Sequence, residues 1–161
     1  MKIRKSSIDP PEKVTTGISR ITAHRYHDFS TGHRVYEHDN KCSHLHGHNY
    51  RIYFYCNAHS SNNKGLVDFS DIKKFLCNWL EDNWDSKFLI WEKDPWSKLL
   101  QGIDPQGTVI TTFNPTSENI AAYLLDVIGP KQLESSKLTL YKVIVQETTK
   151  SSAIAELRSF L

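Results

Sequence analysis

Apolar and polar positions along the chain alternate first with a period of two and later with a period close to four. Asn49 to Ala58 reads NYRIYFYCNA, so Ile52, Phe54, Cys56 and Ala58 share one side of an extended chain and Arg51, Tyr53, Tyr55 and Asn57 the other. That is a strand with one packed face and one more polar face. Upstream, Gly17 to His27 (GISRITAHRYH) is also extended in character. Ser60 to Lys64 (SSNNK) is turn chemistry, and beyond it the period changes. Ile72, Phe75, Leu76, Trp79 and Leu80 recur at helical spacing, with Ser70 the expected N-cap and Asp71 favourably placed in the first turn. Ile120, Tyr123, Leu124, Val127 and Ile128 repeat that spacing, in a helix opened by Thr116 or Ser117 after Pro115 and closed by Gly129-Pro130. Leu138 to Glu147 (LTLYKVIVQE) is the strongest strand signal, with Ala153 to Leu157 as its hairpin partner.

Between the two helices, Trp91 to Asn114 contains Pro95, Gly102, Pro105, Gly107 and the short apolar run Thr108 to Phe113, and reads as a loop or excursion. Its Trp91, Trp96 and Phe113 either cover a site or pack in contacts between subunits, packing being the commoner use of such aromatics. The order strand, strand, helix, helix, strand, strand predicts an α+β domain, an antiparallel sheet carrying two helices on one face.

Composition narrows the function. A chain of 161 residues with 39% hydrophobic and 24% charged side chains suits one globular domain, here 14–161, behind a polar lead, 1–13, that carries Pro10 and Pro11. A formal charge of +2, with Lys and Arg scattered among Asp and Glu, argues against nucleic acid as a partner. No stretch has the apolar core of a secretory signal or the length of a membrane span, so a cytoplasmic protein without membrane contact is expected. Three cysteines, Cys42, Cys56 and Cys77, form no framework and are expected as free thiols, the last two in the core.

All eight histidines lie between His24 and His59, three of them in the pattern His33, then His46-Gly47-His48. On a strand, positions i and i+2 project from one face, so His46 and His48 can converge on one ion while His33 from an adjacent strand completes a triangle. Three neutral imidazoles with a fourth position open is the coordination of a catalytic zinc. Gly47 removes a side chain from the opposite face and permits close backbone approach. A lone His-x-His is as readily explained without a metal; the third histidine tips the balance. His24, His27, His38, His44 and His59 read as solvated or hydrogen-bonded residues. Cys42 lies four positions before His46, where a nearby dication and imidazoles would favour its thiolate as base or nucleophile; an inert thiol or a fourth zinc ligand are the alternatives.

Five segments in order, Phe29-Ser-Thr-Gly-His33-Arg34, Lys41-Cys42-Ser-His-Leu-His46-Gly-His48-Asn-Tyr, Val67-Asp68-Phe69, Pro115-Thr-Ser-Glu-Asn and Gln146-Glu147-Thr148, resemble the 6-pyruvoyl/6-carboxy-tetrahydropterin synthase family. The resemblance spans roughly Phe29 to Glu147. It implies a tunnelling fold (T-fold) whose subunits join into a β-barrel, commonly a trimer stacked into a hexamer. It also implies Zn2+ held by His33, His46 and His48, Cys42 as the base, Glu147 as anchor of the pterin ring, and Thr116 and Ser117 beside the substrate. The substrate would be 7,8-dihydroneopterin triphosphate. The interval from Cys42 to His46 looks like that of the bacterial queuosine-pathway branch, whose product is 6-carboxy-5,6,7,8-tetrahydropterin, formed with release of acetaldehyde and triphosphate. The alternative is a pyruvoyl-forming elimination.

One position departs from the family. An Asp-His pair is expected after the first helix; Asp85 aligns with its aspartate, but Ser86 stands where the histidine belongs. A serine hydroxyl does not titrate near neutrality. Either another imidazole such as His27 or His44 substitutes, or the reaction needs no second proton carrier, or the chain is a weak or inactive pterin-binding relative.

Overall fold

The computed structural model describes residues 22–58 and 67–158. The expected polar lead, the Ser60 to Lys64 turn, His59 and the start of the first extended segment lie outside the described residues. Among the described residues the six strands are β1 (Ala23–His33), β2 (His46–Ala58), β3 (Lys87–Trp91), β4 (Thr108–Thr111), β5 (Leu138–Thr148) and β6 (Ser151–Glu156), in the spatial order β4-β3-β1-β2-β5-β6. Strands β1, β2, β5 and β6 pair antiparallel, whereas β3 joins β1, and β4 joins β3, in parallel. The antiparallel four-strand frame with two long helices therefore agrees with the sequence pattern.

The Trp91 to Asn114 excursion is more ordered than its turn residues suggest. It continues β3, forms the short helix α2 (Ser97–Ile103) and returns as β4. A parallel pair needs such a crossover, and the helix supplies it. Within it, Trp96 stacks on Arg34 and Phe113 lies 4.8 Å from the Tyr123 ring, so both aromatics are engaged inside the chain.

The first long helix, α1, runs over 69–83 and the other, α3, over 117–133, each widened in the middle by a π-type stretch, Lys73–Cys77 and Leu124–Ile128. In α3 the buried stripe is Ile120, Ala121, Leu124, Leu125 and Ile128; Tyr123 is half-buried against the core, and the expected Val127 is exposed. Asp68, not Ser70, caps α1: its carboxylate accepts from the Ser70 amide at 2.8 Å, two residues into the helix. Thr116 caps α3 by accepting from the Asn119 amide at 3.3 Å.

Gly129-Pro130 does not end α3, which continues through Gly129–Leu133. The π-type stretch directly before Pro130 already breaks the regular i to i−4 pattern in which a proline would be disruptive. Gly129 instead permits packing on β5, because a Cβ there would come within 2.6 Å of Leu140.

One face of the sheet carries the core. Phe29, Tyr50, Ile52, Phe54 and Cys56 pack with Val143 and Val145 against Ile72, Leu76, Leu80, Ile120 and Leu124 of the two helices. Burial, reinforced by the neighbouring Cys77, pushes the Cys56 thiol up to about 12, and Cys77 is raised chiefly by burial, so both are inert core thiols as expected. Among the described residues, no helix is long and apolar enough to cross a membrane.

Candidate metal centre and pterin site

The cluster is built by strand register. His33 pairs directly with His46 and Thr31 with His48, while Phe29 pairs with Tyr50. Because directly opposed residues share a face, both histidines of the His46-Gly47-His48 run, together with His33 and Tyr50, project from the core-bearing face at its open end. On the opposite face Gly32 pairs with Gly47. A Cβ on Gly47 would meet the Thr31 carbonyl at 3.0 Å, and one on Gly32 would collide with the Phe88 ring at 2.3 Å. The glycine pair thus lets backbone and Phe88 close over the back of the histidines.

The ligand atoms of His33, His46 and His48 all lie within 4.8 Å of one another. Two of the three rings have a committed nitrogen. His33 Nδ1 lies 2.7 Å from the Pro115 carbonyl and His46 Nδ1 2.8 Å from the His44 carbonyl. A carbonyl only accepts, so each Nδ1 carries the proton and donates it, leaving Nε2 as a lone-pair donor. Burial lowers the pKa of His33, against the opposing Pro115 carbonyl, and lowers that of His48 as well. Both are held neutral, the form in which imidazole ligates a metal. A tetrahedral ion with bonds of ~2.05 Å holds its nitrogens about 3.4 Å apart, so small side-chain rotations close this triangle. The donor set fits a zinc ion.

Glu147 stands beside this triangle. Glu147 follows the buried Val143 and Val145 in the alternation of β5 and so shares their face with Tyr50 and the histidines, beside the register shift between Gln146 and Thr148 in the pairing of β5 with β6. Its Oε1 lies 3.6 Å from His33 Nε2 and 3.8 Å from His48 Nε2. The buried Tyr50 hydroxyl donates to the same oxygen at 3.1 Å and sits 3.2 Å from His33 Nε2. Burial, reinforced by the Glu147 carboxylate, raises the Tyr50 pKa, so this hydroxyl remains a proton donor.

Cys42 occupies a single 3-10 turn, Lys41–Ser43, and is half-buried. Together with His33, Thr116, Ser117 and Glu147 it lines a cavity of about 190 Å³. The structure therefore brings the predicted metal ligands, thiol, carboxylate and helix-start hydroxyls to one place. Asp85 is placed elsewhere: it borders a larger hollow of about 790 Å³ and accepts from the Ser30 amide at 2.9 Å. Glu147 and Tyr50 also line that hollow, so Glu147 is common to both. Ser86 follows with a positive φ of 59°, its amide donating to the Ser30 carbonyl at 2.7 Å. Neither spare histidine is among the residues lining the cavity that holds Cys42. His27 is six residues before His33 on the same strand, about 20 Å away, and the exposed His44 serves the cluster through its carbonyl.

Tyr50, Pro115 and His44 escape a reading of the sequence by ligand type. Tyr50 does carry a signal, lying two residues after His48 and so on the same face.

A sheet with two helices on one face, carrying three convergent histidines and a carboxylate at one end, defines a protein with a candidate metal site. The family model for 6-pyruvoyl tetrahydropterin synthase matches residues 22–158. The chain is 34% identical over 125 residues, 75% of its length, to 6-carboxy-5,6,7,8-tetrahydropterin synthase of Rickettsia bellii, of which it covers 89%. An uncharacterized protein of Wolinella succinogenes superposes with a TM-score of 0.72 at 21% identity, over 84% of this chain and 97% of that one. The 6-pyruvoyl tetrahydropterin synthase of Plasmodium vivax does so with a TM-score of 0.62 at 16% identity, over 86% and 99% respectively. The chain belongs to the 6-pyruvoyl tetrahydropterin synthase family, and its fold is the T-fold of that family.

Proposed function

We propose that this protein is a zinc-dependent lyase converting 7,8-dihydroneopterin triphosphate to 6-carboxy-5,6,7,8-tetrahydropterin, with release of acetaldehyde and triphosphate. The observation carrying this reading is the convergence of the ligand atoms of His33, His46 and His48, with His33 lining the cavity that Cys42 and Glu147 also line. Similarity to a relative named for the carboxy product, together with the short Cys42 to His46 interval, favours that branch over the pyruvoyl one.

In this reading His33, His46 and His48 hold the ion, which when bound supplies Lewis-acid stabilisation to the substrate's side-chain hydroxyls. Glu147 accepts from the ring N–H and exocyclic amine in a paired fashion, orienting the reacting carbon. Tyr50 holds the Glu147 carboxylate in place. Cys42 would be the base that takes the proton from the reacting carbon of the substrate side chain, and Thr116 and Ser117 would contact the ligand at the start of α3. Asp85 remains the candidate second acid-base group. The cavity of about 190 Å³ is below the ~300 Å³ of common small-molecule pockets, so the triphosphate extends beyond it. A cytoplasmic homo-oligomer, a trimer or hexamer closed into a β-barrel, completes the proposal and is tested by light scattering.

The deciding experiment is mass spectrometry of products after zinc-loaded protein meets dihydroneopterin triphosphate, beside the Cys42→Ala variant. A carboxy-pterin with triphosphate and acetaldehyde, absent from the variant, is the expected result; identical traces for both proteins would overturn it. Ser86 favours a second reading, a pterin-binding relative with little turnover. Tight pterin binding abolished by Glu147→Ala, without product, would select it.

A further inference from the structure

The turn that carries Cys42, Lys41–Ser43, is a single 3-10 turn closed by the Ser43 amide and hydroxyl on the Asn40 carbonyl and by the His44 amide on the Lys41 carbonyl. Its Cys42 and Ser43 carbonyls are held from outside, by the two residues that follow His33. The Val35 amide donates to the Cys42 carbonyl at 2.9 Å, and Arg34 Nε donates to the Ser43 carbonyl at 2.7 Å.

Arg34 is in turn fixed on two further sides. Its Nη1 donates to Asp94 Oδ1, in a pair whose side chains are 12% and 0% exposed, and its guanidinium lies 3.9 Å from the centre of the Trp96 ring. Asp94 Oδ1 also accepts from the Trp96 amide at 2.9 Å, which ties the aromatic plate to the same carboxylate. Asp94 Oδ2 is buried without a hydrogen-bond partner among the described residues. A buried ion pair that leaves an oxygen unpaired is a poor source of stability, since desolvation offsets much of its attraction. It is a good source of position, because a guanidinium fork with stacking and two acceptors has one orientation.

We infer that Arg34 and Asp94 are a positioning pair that sets the Cys42 turn, so that the crossover between β3 and β4 serves the site from outside it. Neither residue lines the cavity; both act through the Ser43 carbonyl. The inference rests on the reading of Cys42 as the base, but it is tested on the thiol itself.

The test compares wild type with Arg34→Met/Asp94→Leu, which removes both charges and so avoids leaving one buried alone, and with Arg34→Lys, which keeps a charge for Asp94 but lacks the fork for Ser43. Cys42 alkylation by iodoacetamide is followed by peptide mass spectrometry, along with exchange of the Val35 amide; Cys56 and Cys77 are buried and do not interfere. The expected result is cooperative unfolding and unchanged zinc stoichiometry, with Cys42 alkylation and Val35 exchange about tenfold faster, the scale of one lost charge-assisted hydrogen bond. With dihydroneopterin triphosphate, kcat falls while KM holds. Wild-type alkylation and exchange rates in either folded variant overturn the inference. If the double variant does not fold, Arg34→Lys decides alone. An absence of turnover in wild type would remove the proposed reaction yet leave the alkylation result to judge the pair.

Discussion

His33 donates its Nδ1 proton to the Pro115 carbonyl across 2.7 Å, linking the most deeply buried imidazole of the cluster to the residue before the α3 cap. The contact fixes ring orientation and tautomer together, and it makes the approach to α3 part of the metal site. His33→Ala, His46→Ala and His48→Ala are each expected to reduce bound zinc from about one ion per chain to a small fraction, measured by elemental analysis after dialysis. Chelation of wild type should lower its melting temperature and zinc should restore it, because an ion that binds only the folded chain stabilises it by mass action. Full zinc retention in all three variants would place the metal elsewhere.

Tyr50 is the test of how Glu147 is held. Phenylalanine fills the same space and removes only the hydroxyl that donates to Glu147 Oε1 at 3.1 Å. A hydrogen bond to a charged group contributes about 1.5–3 kcal/mol, so Tyr50→Phe should weaken pterin binding roughly tenfold or more with zinc content unchanged. Titration calorimetry with a reduced pterin measures both the affinity and the stoichiometry. An unchanged affinity would mean that the position of Glu147 on β5 aims the carboxylate without the hydroxyl.

Much of this arrangement is written in the alternation of β2. The same parity that places Ile52, Phe54 and Cys56 in the core carries back through Tyr50 to His48 and His46, so two ligands and the Glu147 donor share a face before any coordinate is known. Pairing of His33 with His46 depends on strand register, which the Phe29 to His33 segment encodes only through its partner. The β3–α2–β4 crossover is hidden for another reason. Its strands are short apolar runs, and only the pairing of β3 with β1 and of β4 with β3 gives them order. In α3 both Leu125 and Val127 can flank the stripe of Ile120, Leu124 and Ile128 at helical period, and packing against the sheet selects the flank, which is why Val127 is exposed and Leu125 buried. The Arg34–Asp94 pair joins residues 60 positions apart, a distance at which composition says nothing.

Ser86 offers a gain-of-function test. The backbone there has φ 59°, a region that histidine visits more readily than most side chains, so Ser86→His is compatible with the turn into β3. If a second proton carrier is what the site lacks, the substitution raises kcat by about 10²- to 10⁴-fold at constant zinc content, the usual worth of general acid-base help. Steady-state release of triphosphate reads the effect. Equal rates in both proteins would mean that this reaction proceeds without an imidazole at that position.

The neutral imidazoles also make the metal-free protein sensitive to acid. His33 and His48 have folded-state pKa values below that of an unfolded chain, chiefly because burial penalises the imidazolium. Below about pH 6.5 the unfolded chain takes up protons that the folded chain refuses, so the unfolded state binds more protons and stability falls with falling pH. Above about pH 7 both states are neutral and the contribution is flat. The metal-free protein should therefore show a lower urea midpoint at about pH 5 than at about pH 7.5. In His33→Phe, which removes the more deeply buried ring, that difference should shrink. Zinc sharpens the dependence in the loaded protein, because ions and protons compete for the same Nε2 atoms and acid releases the metal. Equal midpoints at the two pH values in the metal-free wild type would show that the histidines take up protons as readily when folded as when unfolded, and the case for a site held ready in the ligand form would fall with that result.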